Sequence, residues 1–331
     1  MPFFKSIIAY RIGPDWVPPA PDALEAELQR LAFRPCEPTQ ELSTGWLPPR
    51  GEENGAMAEH IAGHLVLKFG LERRAVPASV VRAEVEARCK AIEAERGRKP
   101  GRKEKLDIKQ EVVLTMLPRA FSKRAAHVIW IDLAQRFLVV GAGSHKAADS
   151  VVSSLVDLMA DLRHVLPLAL LSTQMAPGTA MAEWLRADEA PGEFGFGQDL
   201  VLKNAEKGSI RYARHPLDAE EIVQHLDEGM VVTEMALSWD GKLGFVLNDG
   251  LALRKLDFMD VKTDLGEKEK GFDADVAIAT GELSRLLPAL LEALGGEMMP
   301  GAAPAAVAPA QAAQSGDAEA PPWDEPVAAQ A

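Results

Sequence analysis

Residues 230–257 have the sequence MVVTEMALSWDGKLGFVLNDGLALRKLD, which predicts three successive β-strands. The predicted strands are Met230–Trp239, Leu243–Asn248 and Leu251–Asp257. The pairs Asp240-Gly241 and Asp249-Gly250 separate them, and Asp-Gly is a favoured two-residue hairpin turn. Because a hairpin joins antiparallel neighbours, this stretch indicates an antiparallel sheet.

The segments around this stretch predict both helices and strands. A helix is expected just upstream, at Asp218–Asp227, and downstream Thr280 is expected to cap a helix that ends near Leu294. The remaining predicted elements are a strand at Phe3–Ile12, a helix capped by Asp22, a loop at Ser43–Gly51, a strand or hairpin half at Ile61–Leu71, a helix from Pro77, a second helix from about Glu104 toward Arg119, strands at His127–Asp132 and Arg136–Val140, a helix from Ser144 to about Leu162, a strand near Leu166–Leu171 and a short helix around Met181–Arg186. The chain is therefore expected to be α+β, with mostly antiparallel sheets flanked by helices.

We divide the chain into four segments. They are an N-terminal α/β part (1–76), a basic helical hairpin with an interface segment (77–126), a C-terminal α+β region with a finger-like segment near 205–217 (127–299), and an acidic Ala/Pro-rich tail (300–331). The tail is expected to be disordered, because its composition cannot bury enough apolar surface to offset chain entropy.

Composition excludes several classes of protein. The chain has 331 residues, is 47% hydrophobic and carries a net charge of −13, as expected of a globular protein with a sizeable core. The N-terminal segment has too short an apolar core for a signal peptide, and no stretch is long enough to span a membrane. Cys36 and Cys89 are widely spaced and have no CxxC partner, which fits a reducing cytoplasm.

Residues 96–124 are strongly basic in this acidic chain. They hold ten basic residues and three acidic ones, a net charge of +7. The basic residues are Arg96, Arg98, Lys99, Arg102, Lys103, Lys105, Lys109, Arg119, Lys123 and Arg124. Gly97 and Pro100-Gly101 must interrupt the helical pattern, so the segment is predicted to be the turn and second arm of a helical hairpin. A concentrated basic face of this kind favours binding to a polyanion.

The alternative is that these side chains are only a solvated helix face. That interpretation suits Arg82–Glu95, where acids balance the bases, better than residues 96–105, where six bases accompany one acid. Phosphate contacts from Lys and Arg supply affinity without sequence information. The sequence shows no zinc-finger, RNP or GxxG signature that would read bases.

Phe121 stands in a polar, basic stretch directly after Pro118-Arg119-Ala120. A large apolar ring in this setting is a candidate anchor for a partner subunit. The alternative is that the ring folds back over the end of the preceding helix.

No catalytic, metal or cofactor site is predicted. The turn Gly141–Lys146 resembles a phosphate cradle, but it lacks the third glycine of GxGxxG and is better explained as a tight turn with Ser144 capping a helix. His60 and His64, if both lie on one strand, are about 13 Å apart and cannot share an ion. The other histidines and the serines form no triad order. We therefore expect a protein that is not an enzyme.

Several segments together resemble the bacterial RdgC family. They are FFKSIIAYRI, LAFRPCEPTQELSTGWLPPRG, MLPRAFSKR, VIWIDLAQRFLVV, VVTEMALSWDGKLGFVL and FDADVAIATGELSRLLPALLEALGGE. The similarity runs from about residue 1 to residue 297 and leaves out the Ala/Pro tail.

This resemblance implies a non-enzymatic homodimer closed into a ring around duplex DNA, with a basic inner surface and little sequence preference. Single-stranded DNA is a second candidate ligand. The family restrains RecA-dependent recombination, so the resemblance implies a cytoplasmic, nucleoid-associated protein with no membrane partner. Phe121 matches the family's interface phenylalanine, and Arg211, Arg214 and His215 fall near its projecting finger, which makes Arg211 and Arg214 further candidates for DNA contact.

Three other interpretations stay open at this point, and one is an enzyme that uses the Gly141–Lys146 turn, which a nucleotide-induced thermal shift would support. The basic hairpin could dock on an acidic protein partner instead of DNA, and the tail segment Pro321–Pro326 could be a short docking peptide, because one Trp flanked by acids is unusual there.

Overall fold

The structure, a computed structural model, describes residues 3–52, 54–206, 208–217, 220–259 and 271–298. The tail, expected to be disordered, and the segment before Gly271 lie outside the described residues. None of the described helices is long and apolar enough to cross a membrane.

The described residues form twelve strands and seven α-helices. The strands are β1 (Ser6–Ile12), β2 (Leu42–Leu47), β3 (Glu59–Ile61), β4 (His64–Arg74), β5 (Ser122–Asp132), β6 (Phe137–Val140), β7 (Leu168–Leu170), β8 (Phe194–Lys203), β9 (Ser209–Ala213), β10 (Val231–Trp239), β11 (Leu243–Asn248) and β12 (Leu253–Phe258). The helices are α1 (Pro21–Arg30), α2 (Ala78–Arg96), α3 (Arg102–Met116), α4 (His145–Asp161), α5 (Pro177–Ala187), α6 (Glu220–Asp227) and α7 (Phe272–Ala293). A single 3₁₀ turn, Leu117–Arg119, follows α3.

All the paired strands belong to one antiparallel sheet of order β2-β4-β5-β6-β1-β12-β11-β10-β8-β9, with β3 on β4 and β7 on β1. Strand β1 joins its two halves, because Ile8–Arg11 pair with β6 while Ser6 and Ile7 pair with β12. The expected α+β class with antiparallel pairing is confirmed.

The meander β10–β12 follows the sequence prediction within two residues. Asp240 (φ 49°) and Gly241 (φ 62°) are both left-handed, as a tight hairpin turn requires. In the second connection Leu251, and not Gly250, is left-handed (φ 60°), and Asn248 Oδ1 accepts the backbone N–H groups of Gly250 and Ala252. Because the Asn248 side chain makes these hydrogen bonds within the connection, the third strand begins at Leu253 and not at the expected Leu251.

The hydrophobic core has two main parts. In one, α5, α6 and α7 cover β8, β10 and β11, with Leu283, Leu286 and Leu287 of α7 fully buried. In the other, α1 and α4 cover β1, β4, β5 and β6, and Leu155 of α4 is fully buried. Each part buries an apolar helix face on the sheet, which is the usual source of stability in an α+β domain.

Three sequence-based assignments were wrong. The expected loop Ser43–Gly51 contains most of β2, which pairs with β4 from Leu42 to Leu47 before Pro48 ends it. Thr280 does not cap α7 but lies inside it, fully buried, with its hydroxyl donating to the carbonyl of Val276 at 2.8 Å. In addition, Asp22 lies in the first turn of α1, and Ala20 is the N-cap residue there.

Candidate nucleic-acid interface

Helices α2 and α3 are adjacent in sequence and pack against each other. Pro77 precedes α2, and Gly97, in the left-handed conformation at φ 66°, ends it while donating its N–H to the carbonyl of Glu93 at 2.9 Å. Gly101 then precedes α3 in an extended conformation. Glycine suits Gly97 because a residue with a Cβ is strained at that φ. The chain therefore reverses between residues 97 and 101.

The apolar side chains of α2 and α3 form a small cluster separate from the two main cores. Its buried members are Val81, Ile108 and Val112, with half-buried residues such as Val85 packed around them. Since the contact between the helices occupies only one narrow face of each, their remaining surfaces meet solvent.

All ten basic residues of 96–124 are exposed. Arg96 ends α2, Arg98 and Lys99 lie in the connection, and four more lie on α3. Arg119 belongs to the 3₁₀ turn, and Lys123 and Arg124 lie on β5, which begins earlier than the sequence predicted. The run of bases is thus carried by a helix end, a turn, a second helix and a strand start.

Four of these ten residues are ion-paired. Glu104 accepts Arg98 at 2.9 Å and lies 3.6 Å from Arg96, and Arg98 is the largest cause of the lowered pKa of Glu104. Lys99 lies 3.9 Å from Glu93, and Arg124 pairs with Glu72. Within the described parts of the chain, the other six form no ion pair; they are Arg102, Lys103, Lys105, Lys109, Arg119 and Lys123. Their charge is available to an external anion.

Glu72 on β4 is 3% exposed and is held by the start of β5. Its carboxylate accepts the N–H of Cys36 at 3.1 Å and lies 3.3 Å from Nε of Arg124. A hydrogen bond from Ser122 is the largest cause of the lowered pKa of Glu72, followed by the N–H of Cys36 and the charge of Arg124. These contacts stabilise the ionised carboxylate and fix the residues that follow Phe121.

The side chain of Phe121 is 96% exposed between the 3₁₀ turn and β5. It does not fold back over the end of α3. Leu106 and Leu114 of α3 are also exposed, at 54% and 57%. The described structure therefore presents an apolar ring to solvent beside the basic residues, and its role in a subunit interface stays a prediction.

Arg211 and Arg214 lie elsewhere. Arg211 is exposed on β9, at the other end of the strand order from β4 and β5, and Arg214 follows β9 in the left-handed conformation (φ 55°). The N–H of Arg214 donates to Asp199 Oδ1 at 3.3 Å, and Asp199 is also paired with Lys255, the largest cause of its lowered pKa. The twelve predicted DNA-contact residues therefore occupy two separate places in one chain.

Two basic residues outside the predicted set adjoin it. Arg73 pairs across the sheet with Lys123, and Arg74 pairs with Ser122. A count of charges over consecutive residues does not include Arg73 and Arg74, because they are about 50 positions upstream in the sequence. The strand pairing of β4 with β5 is the signal that unites them with the basic set.

The remaining candidate motifs have structural roles. In the turn after β6, Ser144 caps α4 by accepting the N–H of Ala147 at 3.4 Å, as expected. His60 and His64 lie on β3 and β4, on either side of a hairpin turn, so the one-strand geometry assumed for them was wrong. Among the described residues, no group of three or more His, Cys, Asp or Glu side chains could hold a metal ion.

Comparisons with known proteins agree with the resemblance. A family model with the description "Putative exonuclease, RdgC" matches residues 2–297. The "Recombination-associated protein RdgC" of Dechloromonas aromatica is 37% identical over 307 residues, which cover 90% of this chain and 99% of the relative. Proteins of the same name from Herminiimonas arsenicoxydans and a Janthinobacterium species are each 37% identical and are covered over 98% and 99% of their length.

Proposed function

The chain belongs to the RdgC family, a family of recombination-associated proteins, and we propose that it binds double-stranded DNA without sequence preference as a ring-shaped homodimer. In this role it restrains RecA-dependent recombination by covering the duplex. It acts in the cytoplasm at the nucleoid and performs no catalysis itself. Single-stranded DNA is a second ligand of the same surface.

The observation that carries the proposal is the set of six exposed cations without an ion-pair partner in the described structure, on a chain of net charge −13. An acidic protein repels a polyanion everywhere except at a concentrated basic surface. Unpaired lysines and arginines can neutralise phosphates and release condensed counterions, which provides most of the affinity in non-specific binding. Because the rest of the surface is acidic and repels phosphates, DNA binds only at the surface that carries these six cations.

The arrangement favours phosphate contacts over base reading. The cations project from α3, a turn and a strand start, and all six are lysines or arginines with long flexible side chains. Base reading needs Asn, Gln or Arg held rigidly against base edges in the major groove. Long solvated side chains instead follow the phosphate backbone, so binding tolerates any sequence.

The exposed ring of Phe121 supports subunit contact. A phenylalanine side chain that moves from water into an interface gains roughly 1.5–3 kcal/mol. Aromatic residues of this kind are frequent at the centre of subunit interfaces. In the proposed ring, Phe121 of each protomer contributes to one of the two contacts that close the dimer around DNA.

A titration with random duplexes at several salt concentrations tests DNA binding. We expect the logarithm of the association constant to fall linearly with the logarithm of salt concentration, by about 0.9 per phosphate neutralised. Unrelated duplexes of equal length should bind alike. A flat salt dependence would contradict the proposal. Loss of RecA inhibition without any loss of DNA binding, in variants of the basic hairpin, would favour docking on an acidic protein partner.

The description of the family model raises exonuclease activity as a second candidate. End-labelled linear duplex, incubated with the protein in Mg²⁺ and separately in Mn²⁺, distinguishes the two. We expect the label to stay on full-length DNA. Release of labelled nucleotides in proportion to protein concentration would replace the binding role with a nuclease role.

A further inference from the structure

A pocket of about 640 Å³ lies against α2 and α3, where β2 begins and β4 ends. One wall is apolar and includes Leu42, Val76, Val85 and Val113. Leu42 is 42% exposed, so part of this apolar surface faces solvent. The volume falls within the range of about 300–1,000 Å³ that is typical of ligand pockets.

The rest of the pocket is basic. Arg73, Arg74, Arg82 and Lys109 line it, against the single acid Glu41. None of the four bases forms an ion pair among the described residues, and Nε of Arg74 is buried without a hydrogen-bond acceptor there. A buried guanidinium N–H without an acceptor costs free energy, which a ligand carboxylate would recover.

An apolar wall beside several cations fits an aromatic side chain next to carboxylates. The chain itself contains such a segment, Pro321-Pro322-Trp323-Asp324-Glu325-Pro326. Trp323 is the single aromatic residue of 299–331, and these residues include four acids and no base. We infer that residues 321–326 bind in this pocket, with Trp323 on the apolar wall and the two acids facing the arginines.

The proline content of the segment favours this binding. Three of its six residues are prolines, and because proline has a fixed φ, a proline-rich peptide loses less conformational entropy on binding. An arginine can also stack on the indole face while its N–H groups meet a carboxylate. One short segment therefore satisfies both the apolar and the basic parts of the pocket.

The intervening chain is long enough. The described chain ends at Met298, whose N–H donates to the carbonyl of Ser172. A chain of 25 residues, the separation of Trp323 from Met298 in the sequence, can reach at most roughly 80 Å. A folded body of this size has a diameter of the order of 50 Å. The tail can therefore reach the pocket from where it leaves the sheet.

Occupation of the pocket has a consequence that rests on the proposed function. Lys109 lines the pocket and also belongs to the six unpaired cations of the DNA surface. A bound acidic tail would lower the positive potential of that surface, so the tail and DNA would compete. The occupation itself can be measured without DNA, and its failure would leave the DNA proposal unaffected.

The test is ¹⁹F NMR of the full-length protein labelled with 5-fluorotryptophan, with Trp323→Phe to assign the resonance. We expect the Trp323 resonance to be broad and shifted from its position in a synthetic peptide of residues 315–331. The double variant Arg74→Gln/Arg82→Glu should return it to the peptide position, and so should Asp324→Asn/Glu325→Gln, which leaves the pocket unchanged. Arg30→Gln/Arg186→Glu, which makes the same change in net charge as Arg74→Gln/Arg82→Glu at exposed sites elsewhere, is the matched control and should leave it shifted.

Three results would overturn the inference. They are a narrow Trp323 resonance at the peptide position in the wild type, a shifted resonance that neither double variant affects, and a shift that disappears on dilution. The last result would mean that the tail contacts a second copy of the chain and does not bind in the pocket of its own chain.

Discussion

The carboxylate of Glu72 lies 3.3 Å from Nε of Arg124, although Glu72 is only 3% exposed. A buried carboxylate is tolerated when charged and N–H partners compensate its lost hydration. Two of the compensating groups, Ser122 and Arg124, belong to the start of β5, directly after Phe121, and the third is the N–H of Cys36. One buried acid thus connects the β4–β5 pairing to the position of an exposed aromatic ring.

Replacement of Glu72 by Gln should destabilise the protein in a pH-dependent way. The pKa of Glu72 is lowered in the folded state, chiefly by Ser122, so its stabilising contribution is complete above the unfolded-state pKa and is lost as the pH falls through the folded-state value. Urea unfolding should therefore show a stability difference between wild type and Glu72→Gln at pH 7 that shrinks as the pH falls below about 4. Glu95→Gln, an exposed acid outside this contact, is the control, and a difference that is constant with pH would contradict the role of Glu72.

Replacement of Phe121 by Ala should weaken subunit contact. The loss of roughly 1.5–3 kcal/mol per buried ring corresponds to a factor of about 10–150 in an equilibrium constant for the contact. Light scattering over a range of concentrations measures the dimer, and salt-resistant retention on circular plasmid measures ring closure. Val165→Ala, at an apolar side chain that is 84% exposed, is the matched control. Unchanged association and retention for Phe121→Ala would refute the interface role.

Charge reversal on α3 should weaken binding to all duplexes by the same factor, whatever their sequence. Lys103→Glu/Lys109→Glu removes two of the unpaired cations and should reduce the steepness of the salt dependence by about 1.8, or 0.9 for each lost phosphate contact per protomer. Arg186→Glu/Arg285→Glu makes the same change in net charge at ion-paired sites elsewhere. Equal losses in both double variants would show that net charge, and not this surface, controls binding.

The Ile108→Ala variant should loosen α2 and α3 without unfolding the sheet. Ile108 is 8% exposed in a small cluster, so we expect a loss near the lower end of the range of about 2–5 kcal/mol for such truncations. Hydrogen exchange should accelerate in α2 and α3 and stay slow in α7, because their apolar clusters are separate. Leu106→Ala, at a 54% exposed position of the same helix, should have little effect. Equal acceleration in α7 would mean that the two parts unfold together.

Local patterns in the sequence predicted much of the fold. The Asp-Gly turns and alternating strands located β10–β12, and Ser144 located the start of α4, because hairpin turns and helix caps depend on neighbouring residues. β2 was missed because its sequence resembles a loop, and only distant partners make it a strand. Gly45 in β2 illustrates this, since a Cβ there would lie 2.5 Å from Cα of Phe33.

The candidate site was predicted only in part, for the same physical reason. Ten of its cations are close in sequence, and a count of charge was enough to find them. Arg73 and Arg74 join them through the pairing of β4 with β5, and ion pairing with Glu104 removes Arg96 and Arg98 from the unpaired set. Both effects depend on tertiary contacts, and a count of charged residues along the sequence gives no information on such contacts.

The position of β1 has a consequence for the order in which the protein can assemble on the ribosome. The first strand to be synthesised lies in the middle of the sheet, and one of its neighbours, β12, is made about 240 residues later. Until Leu253–Phe258 emerge, Ser6 and Ile7 form an open hydrogen-bonding edge of the nascent domain. A chain that terminates before Leu253 would therefore leave Ser6 and Ile7 without their β12 partners, and this unpaired strand edge could pair with another chain.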